Sequence, residues 1–345
     1  MVDGPYDALL VVSFGGPEGP DEVMPFLENV VRGRSVPRER LLAVAEHYHV
    51  FGGVSPIAAQ TRALVDAVRA ALRARGPNLP VYLGNRNWRP LLADTLRKMA
   101  ADGVRRALAF VTSAFGSYSG CRQYLEDIAR ARAEVGPGAP EVHKLRAFFN
   151  HPGFVLPMGQ SVLDALGALP PDRRDRNRVV FTAHSIPVAM AHASPYVEQV
   201  REASRLVADQ AAVEAWDLVW QSRSGPPSVP WLEPDVLEHL AALGSADHRD
   251  AVLVPIGFTS DHMEVVYDLD VEARARADSH GLGFVRAATV GTHPDFIEMV
   301  RELILERVGQ GQERRSLGSM GPAPDRCAPE CCPPPQRPAG RPASS

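Results

Sequence analysis

A histidine and an abrupt strand end lie together in the second half of the chain. His184 closes the apolar run 179–183 and is followed by Ser-Ile-Pro, which halts a strand and leaves the imidazole at the edge of a sheet. Near neutral pH an imidazole accepts a proton or binds a divalent metal through a free ring nitrogen. A single histidine at a strand end is more often structural, so its chemistry depends on what it faces.

The candidate partner is Glu264, which follows the apolar run 252–258. Asp261 and Glu264 have the spacing of a capping box, in which the glutamate folds back on the start of its own helix. Alternatively, Glu264, Asp268 and Glu272 recur every four residues and line one helix face. Carboxylates in a row repel one another, yet hard oxygen ligands suit a divalent cation. The residue pattern leaves both interpretations of Glu264 open.

Alternating strands and helices must position these side chains. Helical spacing of apolar residues predicts helices at 58–75, 91–101, 123–135, 198–212 and 264–277. Strand-like apolar runs lie at 8–14, 81–84, 107–111, 142–145, 179–183, 218–221, 252–256 and 283–286. This order predicts an α/β fold with parallel sheets. Because ligands bind at the carboxyl ends of parallel strands, we expect His184 and Glu264 in one cleft.

The chain divides into two similar halves and a tail. Residues 107–117 resemble 251–260, although turns after strands favour small residues in any case, so an internal duplication stays open. We expect an N-terminal domain at 1–150, a C-terminal domain at 151–310 and a Pro/Gly-rich tail at 311–345. The tail has too few apolar residues to fold alone.

Composition excludes several classes of protein. With 345 residues, 45% apolar residues and a net charge of -4, the chain has no overall basic field for nucleic acid. It begins without an apolar signal core and contains no run long enough for a transmembrane segment, which predicts a cytoplasmic protein. Neither a dinucleotide fingerprint nor a phosphate loop occurs, so we expect no nucleotide cofactor. A serine hydrolase elbow is also missing.

Four cysteines indicate a metal site. In a reducing compartment a group of thiols binds metal more often than it forms disulfides. Zinc is possible, but paired cysteines at zinc-finger spacing are missing, whereas a [2Fe-2S] cluster accepts ligands scattered along the chain. Three of the thiols lie in the tail, so a metal would pin the tail to the body. They are Cys121, Cys327, Cys331 and Cys332.

From residue 8 to about 308 the chain resembles the ferrochelatases. Several segments carry this resemblance, and together they make a chance match very improbable. They are GGVSP at 52–56, AHSIP at 183–187, WQS at 220–222, PWL at 230–232 and GFTSDHME at 257–264 with Asp268. The resemblance implies a chelatase fold, with two Rossmann-like domains and parallel sheets flanked by helices around a porphyrin cleft.

The resemblance also implies roles for individual residues. His184 and Glu264 match the residues that bind incoming Fe²⁺, which is a substrate here. We expect His184 to accept the pyrrole protons and Glu264 to be the iron ligand or relay. Ser55 and Tyr124 match positions that contact the polar edge of the porphyrin. Some bacterial relatives have a tyrosine at the position of Phe14, where it reaches the inserted iron; phenylalanine has no oxygen for that contact. Asp268 and Glu272 would then supply iron or carry protons away.

Relatives from actinobacteria resemble this chain in having one internal and three C-terminal cysteines. This implies that Cys121, Cys327, Cys331 and Cys332 bind a [2Fe-2S] cluster, although the adjacent pair Cys331-Cys332 departs from the usual spacing. The same relatives act on coproporphyrin III. The expected function is therefore insertion of Fe²⁺ into coproporphyrin III by a monomer, with coproheme decarboxylase, the next enzyme of heme biosynthesis, as a partner.

Three other functions stay open. The chain could be a ferrochelatase for protoporphyrin IX, or a chelatase of the same fold that inserts cobalt or nickel into another tetrapyrrole. A different class is a non-catalytic haem or iron-sulfur sensor.

Overall fold

A computed structural model describes residues 5–226, 228–246, 249–309 and 313–334, except for the side chains of Arg174 and Asp175. Within these residues the eight strands are β1 (Ala8–Ser13), β2 (Val81–Asn85), β3 (Arg106–Val111), β4 (Glu141–Lys144), β5 (Asn177–His184), β6 (Trp216–Gln221), β7 (Asp250–Val254) and β8 (Gly283–Arg286).

The helices of the N-terminal half are α1 (Pro20–Val30), α2 (Arg38–His49), α3 (Ile57–Arg75), α4 (Leu92–Ala101) and α5 (Gln123–Val135). Those that follow are α6 (Pro152–Gly167), α7 (Val188–His192), α8 (Tyr196–Gln210), α9 (Val236–Ser245), α10 (Met263–Val266), α11 (Arg274–Ser279) and α12 (Pro294–Arg307). Tyr118–Arg122 and Asp268–Ala273 form π-helical turns, and Pro171–Arg176 forms a 3-10 helix.

The strands form two parallel sheets with the same topology. The first has the order β2-β1-β3-β4 and the second the order β6-β5-β7-β8. The central strands β1, β3, β5 and β7 are covered on both faces, which is why they read as continuous apolar runs. The predicted α/β fold of two Rossmann-like units is confirmed.

In each sheet the strand order reverses between the two central strands, which are β1 and β3 in the first sheet and β5 and β7 in the second. The candidate residues lie at this reversal. His184 is the last residue of β5, and the segment that leads to Glu264 follows the neighbouring strand β7. In open parallel sheets the crevice outside the strand ends at this reversal is where ligands bind. The topology therefore brings His184 and Glu264 to one crevice.

The two sheets share one apolar core. Leu9 and Phe110 of the first sheet belong to the same buried cluster as Phe181 and Val252 of the second. Helix α12, at the end of the second half, packs against both α3 and α6. The predicted boundary near residue 150 therefore falls where the chain crosses between sheets, and the hydrophobic core continues across it.

Polar contacts hold the described part of the tail against the body. The Asn150 side-chain amide donates to the carbonyls of Leu317 (3.2 Å) and Gly321 (2.8 Å). Arg146 donates to the carbonyl of Arg315 (2.9 Å) and forms a buried bidentate pair with Glu306. These anchors use no cysteine, so they do not require a metal. In the part of the chain that the structure describes, no helix has the length and apolar character needed to cross a bilayer.

Candidate active site

The imidazole of His184 faces the carboxylate of Glu264. Nε2 of His184 lies 3.2 Å from Oε1 of Glu264. Both side chains are set deep among protein atoms, yet they keep 30% and 46% of their surface accessible. Side chains that are surrounded by protein atoms and still reached by solvent are typical of the wall of a cleft. The structure thus brings together the two side chains that the sequence places at neighbouring strand ends.

Hydrogen bonds decide which nitrogen of His184 faces the cleft. Nδ1 contacts the carbonyl oxygen of Ser185, which can only accept, so Nδ1 carries a hydrogen. Nε2, which faces Glu264, therefore carries the exchangeable proton when the ring is charged. When the ring is neutral, Nε2 has a free lone pair. Tyr196 fixes the backbone here by donating to the carbonyl of His184 at 2.9 Å.

The pair is ionised at rest. Burial alone would lower the pKa of His184, but the Glu264 carboxylate and the Ser185 carbonyl outweigh it and raise that pKa to about 9. Burial would raise the pKa of Glu264, and the charge and hydrogen bond of His184 instead lower it to about 2. An imidazolium is no base, so this histidine must lose a proton before it can accept one.

A close approach between two segments positions Glu264. A Cβ on Gly257 would lie 2.7 Å from the Cα of Ala183, so only glycine allows this loop to pass beside the end of β5. Of the two interpretations of Glu264, the capping box with Asp261 does not form. Instead, Nδ1 of His262 accepts from the backbone N–H of Glu264 at 3.1 Å and caps α10. Glu264 is thereby free of a capping role.

The predicted helix over 264–277 is divided into α10, the π-helical turn Asp268–Ala273 and α11. Ser222 donates from Oγ to the Asp268 carboxylate, and its backbone adopts the strained value φ 63°. Burial, together with repulsion from Glu264 and Glu272, raises the pKa of Asp268 to about 7. Burial likewise raises the pKa of Glu272. The three carboxylates form the electrostatically coupled row expected from their spacing.

Ser55 lies in the N-terminal half of the chain, after a turn that requires glycine. Gly53 has φ 77°, and a Cβ there would lie 2.4 Å from the Cα of Pro20. The backbone N–H of Ser55 donates to the carbonyl of Pro17 at 2.9 Å. Ser55 does not cap α3, because α3 begins at Ile57 and no side chain caps it. The buried Ser55 hydroxyl is thus free of that role.

Tyr124 is buried in the same region under an arginine that the sequence did not single out. The guanidinium of Arg86 lies 4.3 Å from the centre of the Tyr124 ring and forms an ion pair with Asp127. Burial raises the pKa of Tyr124, and the adjacent charge of Arg86 opposes that shift. Phe14, 5.9 Å from Arg86, lines the same side.

Three further aromatic residues lie near the carboxylate row, and two of them connect the halves. Burial, and then the charges of Glu264 and Asp268, raise the pKa of Tyr48. The ring of His47 stacks on Tyr267 with centroids 3.8 Å apart and planes 8° from parallel. Because α2 carries His47 and Tyr267 precedes the π-helical turn, this stack joins the two halves across the cleft.

The sequence missed Arg86, Tyr48 and the role of Ser222. Arg86 directly follows β2, and Ser222 directly follows β6, so the strand-end rule that selected His184 would also have selected them. Tyr48 lies on α2, and nothing in its local pattern indicates a contact with the other half.

The four cysteines line one cavity of about 470 Å³, distant in sequence from the candidate pair. Sγ of Cys331 lies 3.5 Å from Sγ of Cys332, and the thiols of Cys121 and Cys327 are hydrogen-bonded. All four are free thiols. Among the described residues, no three His, Cys, Asp or Glu side chains are arranged to hold a metal ion. The thiols form two close pairs, and their number equals that of the cysteine ligands in a [2Fe-2S] cluster.

The surroundings of the thiols combine burial, which favours the neutral form, with one nearby cation. The Cys121 thiol is hydrogen-bonded to Cys327, and this bond and burial raise its pKa; the same bond lowers the pKa of Cys327. Burial raises the pKa of Cys332 to about 12. The charge of Lys144, which lines the cavity, favours the thiolate form of each. Cys121 and Cys332 are buried whereas Cys327 is exposed, and the lysine beside them would offset the negative charge of an iron-sulfur cluster.

Comparison with known proteins agrees with this geometry. The family model described as Ferrochelatase matches residues 6–308. The chain is 56% identical to a ferrochelatase of Rhodopirellula baltica over 332 residues, or 95% of this chain and 93% of the relative. It is 53% identical to a coproporphyrin III ferrochelatase of Mycolicibacterium smegmatis over 338 residues, or 94% and 99% of the two chains.

A solved structure shares the fold. SirB from Bacillus subtilis with Fe³⁺ superposes with a TM-score of 0.54 at 13% identity, covering 89% of this chain and 99% of SirB. At that identity the likeness concerns the fold alone. The family match, the relatives that are more than half identical and the pairing of His184 with Glu264 agree, and the chain belongs to the ferrochelatase family.

Proposed function

We propose that this protein inserts Fe²⁺ into coproporphyrin III. The observation that carries the proposal is the pairing of His184 with Glu264 at 3.2 Å in a cleft wall, at the reversal of the second sheet. Relatives 51–54% identical over most of the chain are coproporphyrin III ferrochelatases, which supports this substrate. Insertion converts Fe²⁺ and the porphyrin with its two pyrrole protons into the iron porphyrin and two released protons.

The ionised pair suggests an order of events. Fe²⁺ binds the carboxylate of Glu264 and neutralises the charge that holds the proton on His184. The pKa of His184 then falls, and its Nε2 releases the proton and becomes a free base. That nitrogen accepts a pyrrole proton as the metal moves toward the ring. Iron arrival and base activation are in this way coupled through one ion pair.

The carboxylate row would carry the second function, transfer of protons and iron. A group whose pKa lies near the working pH exchanges protons most effectively, and the pKa of Asp268 is raised to about 7. Ser222 holds this carboxylate in place. We assign Asp268 and Glu272 to the path by which protons leave and iron arrives.

On the N-terminal side, Ser55 and Tyr124 would contact the polar edge of the porphyrin. Both side chains are buried, and both belong to the N-terminal half of the chain. Arg86 would act with them, because its cation lies over the Tyr124 ring. Phe14 offers no oxygen to the inserted iron, so we expect no protein oxygen ligand from that position.

Anaerobic insertion assays test the function. Coproporphyrin III and protoporphyrin IX are compared side by side, with Fe²⁺ and then with Co²⁺ and Ni²⁺. We expect the highest kcat/KM for Fe²⁺ with coproporphyrin III. Preference for protoporphyrin IX, or for cobalt or nickel, would replace the proposed substrate with one of the other chelatase functions.

Replacement of the base separates an enzyme from a porphyrin sensor. His184→Ala should abolish insertion while coproporphyrin still quenches intrinsic fluorescence on binding. Retention of most of the insertion rate would exclude His184 as the proton acceptor. If the wild-type protein also inserts no iron, the result favours a porphyrin sensor.

We also propose that Cys121, Cys327, Cys331 and Cys332 hold a [2Fe-2S] cluster. When bound, the cluster supplies a redox-sensitive group that crosslinks the tail to the first half of the chain. Protein purified without oxygen should be red-brown, and replacement of Cys121 or of any two tail cysteines should remove the visible absorption. Colourless protein that contains zinc would refute the cluster.

Three expectations about the cellular setting remain proposals. We expect a monomer in the cytoplasm that passes its product to coproheme decarboxylase. Sedimentation velocity measures the first expectation, cell fractionation the second, and product transfer in a coupled assay with the decarboxylase the third.

A further inference from the structure

A single arginine connects both ends of the segment that carries Glu264 and Asp268. Arg286, the last residue of β8, forms a bidentate pair with Asp270, with Nε to Oδ1 at 2.6 Å and Nη2 to Oδ2 at 2.9 Å. Its Nη1 and Nη2 also lie 3.3 Å from the two carboxylate oxygens of Asp261. One guanidinium therefore holds residues on either side of the iron-binding glutamate.

The positions of the two aspartates give this contact its meaning. Asp261 begins the approach to α10, and Asp270 lies inside the π-helical turn, two residues after Asp268. Neither aspartate is part of the proposed iron path. With both ends tied to Arg286, the distance and the relative orientation of Glu264 and Asp268 are restricted.

Neighbouring residues hold Asp261 in position for its contact with Arg286. Thr289 donates to Asp261 at 3.1 Å, and the backbone N–H of Asp261 donates to Gln60 on α3 at 2.8 Å. The Arg286 side chain is only 15% exposed, so solvent screens its ion pairs little. A bidentate arginine also fixes direction, which a lysine cannot do.

We propose that Arg286 is a positioning residue for iron insertion that holds Glu264 and Asp268 in register by bridging Asp261 and Asp270. Without the guanidinium, two partly buried carboxylates face each other and repel, and the π-helical turn moves relative to α10. The iron ligand and the proton-transferring carboxylate then lose their alignment. This inference rests on the proposed function.

The chain contains a matched control. Arg178 forms the same bidentate geometry with Asp217, at 2.6 and 2.8 Å, near the start of β5. His184 is at the other end of that strand, so the Arg178 pair lies at the opposite edge of the same sheet. Loss of this pair tests whether any broken arginine-aspartate bridge in the sheet impairs the enzyme.

The experiment compares Arg286→Met, Arg286→Lys and Arg178→Met in anaerobic insertion assays. Partners that orient a metal ligand typically contribute about 10–100-fold, so kcat/KM for Fe²⁺ should fall by about that factor in Arg286→Met. The dissociation constant for coproporphyrin should stay unchanged, and Arg286→Lys should be intermediate. Arg178→Met should retain the wild-type kcat/KM for Fe²⁺.

Three results would overturn the inference: wild-type kcat/KM for Fe²⁺ in Arg286→Met, an equal loss in Arg178→Met, or equal weakening of porphyrin binding. If Arg286→Met does not fold, Arg286→Lys and Asp261→Asn are judged by the same criteria. Calorimetric titration with Fe²⁺ alone gives a second measurement, in which Arg286→Met should bind more weakly. A wild type that binds Fe²⁺ but inserts none would contradict the proposed function and leave this titration to decide the positioning role.

Discussion

Replacing Glu264 with glutamine should free the imidazole of His184 and still slow iron insertion. Glutamine keeps the size of the side chain and removes the negative charge that raises the pKa of His184 to about 9. Burial remains in the variant and favours the neutral ring. The pKa of His184 should therefore fall to its ordinary value of 6.5 or lower.

The size of this change follows from the two pKa values. At pH 7.5 a group of pKa about 9 is roughly 3% neutral, and one of pKa 6.5 is about 90% neutral, a gain of about 30-fold. Water in the cleft reaches the 46% of Glu264 that is accessible and screens the pair, so about 30-fold is the largest gain expected. Insertion should nevertheless fall by more than the about 10–100-fold typical of losing a group that only orients a ligand, because the iron ligand itself is lost.

Two measurements decide the outcome. Histidine ring NMR signals, assigned by comparison with His184→Gln, give the titration midpoint in wild type and variant. Stopped-flow absorbance gives the insertion rate. An unchanged midpoint would refute the view that Glu264 holds the proton on His184. Faster insertion by Glu264→Gln would show that this carboxylate restrains the base and does not deliver iron.

Three other substitutions test separate parts of the site. Folding raises the pKa of Asp268 from 3.8 to about 7, so the folded state gains stability from this proton at low pH and loses it as the pH rises from 3.8 through 7. Asp268→Asn should thus raise the melting temperature at pH 8 by about 2–4 °C, measured calorimetrically, while slowing insertion; a lower melting temperature would contradict this sign. Ser55→Ala should weaken coproporphyrin binding about fivefold in fluorescence titrations, since one hydrogen bond contributes about 1 kcal/mol, and unchanged affinity would exclude the contact. Asn150→Ala releases the carbonyls of Leu317 and Gly321, so limited proteolysis should cut the tail faster than in wild type, and equal rates would show that the other anchors suffice.

The central site could be predicted because its placement follows from strand ends. His184 and Glu264 come from apolar runs whose character and order define two neighbouring parallel strands. The carboxylate row also follows from local spacing. Such features depend on residues that are close in sequence, so they can be predicted from the local pattern of residue types.

Long-range contacts explain what the sequence did not predict. The pattern over 264–277 reads as one helix, but Arg286 binds Asp270 and Asp261 from a neighbouring strand, and the structure there contains a π-helical turn. Because Arg286 also contacts the carboxylate of Asp261, that side chain is not available for a capping box. The anchoring of the tail through Asn150 and Arg146 likewise joins residues more than 150 positions apart, which no local periodicity indicates.

The thiol cavity has a consequence for the order of events during synthesis. Cys121 precedes Cys327 by 206 residues, and both must be present before the four sulfurs can meet. At a synthesis rate of about 5–20 residues per second, Cys121 waits roughly 10–40 s for its partners. The polar anchors of the tail also need Asn150 and Glu306 in place. The four cysteine sulfurs therefore come together among the last steps in the maturation of the chain. A cavity that contains all four shows that both halves and the tail have assembled.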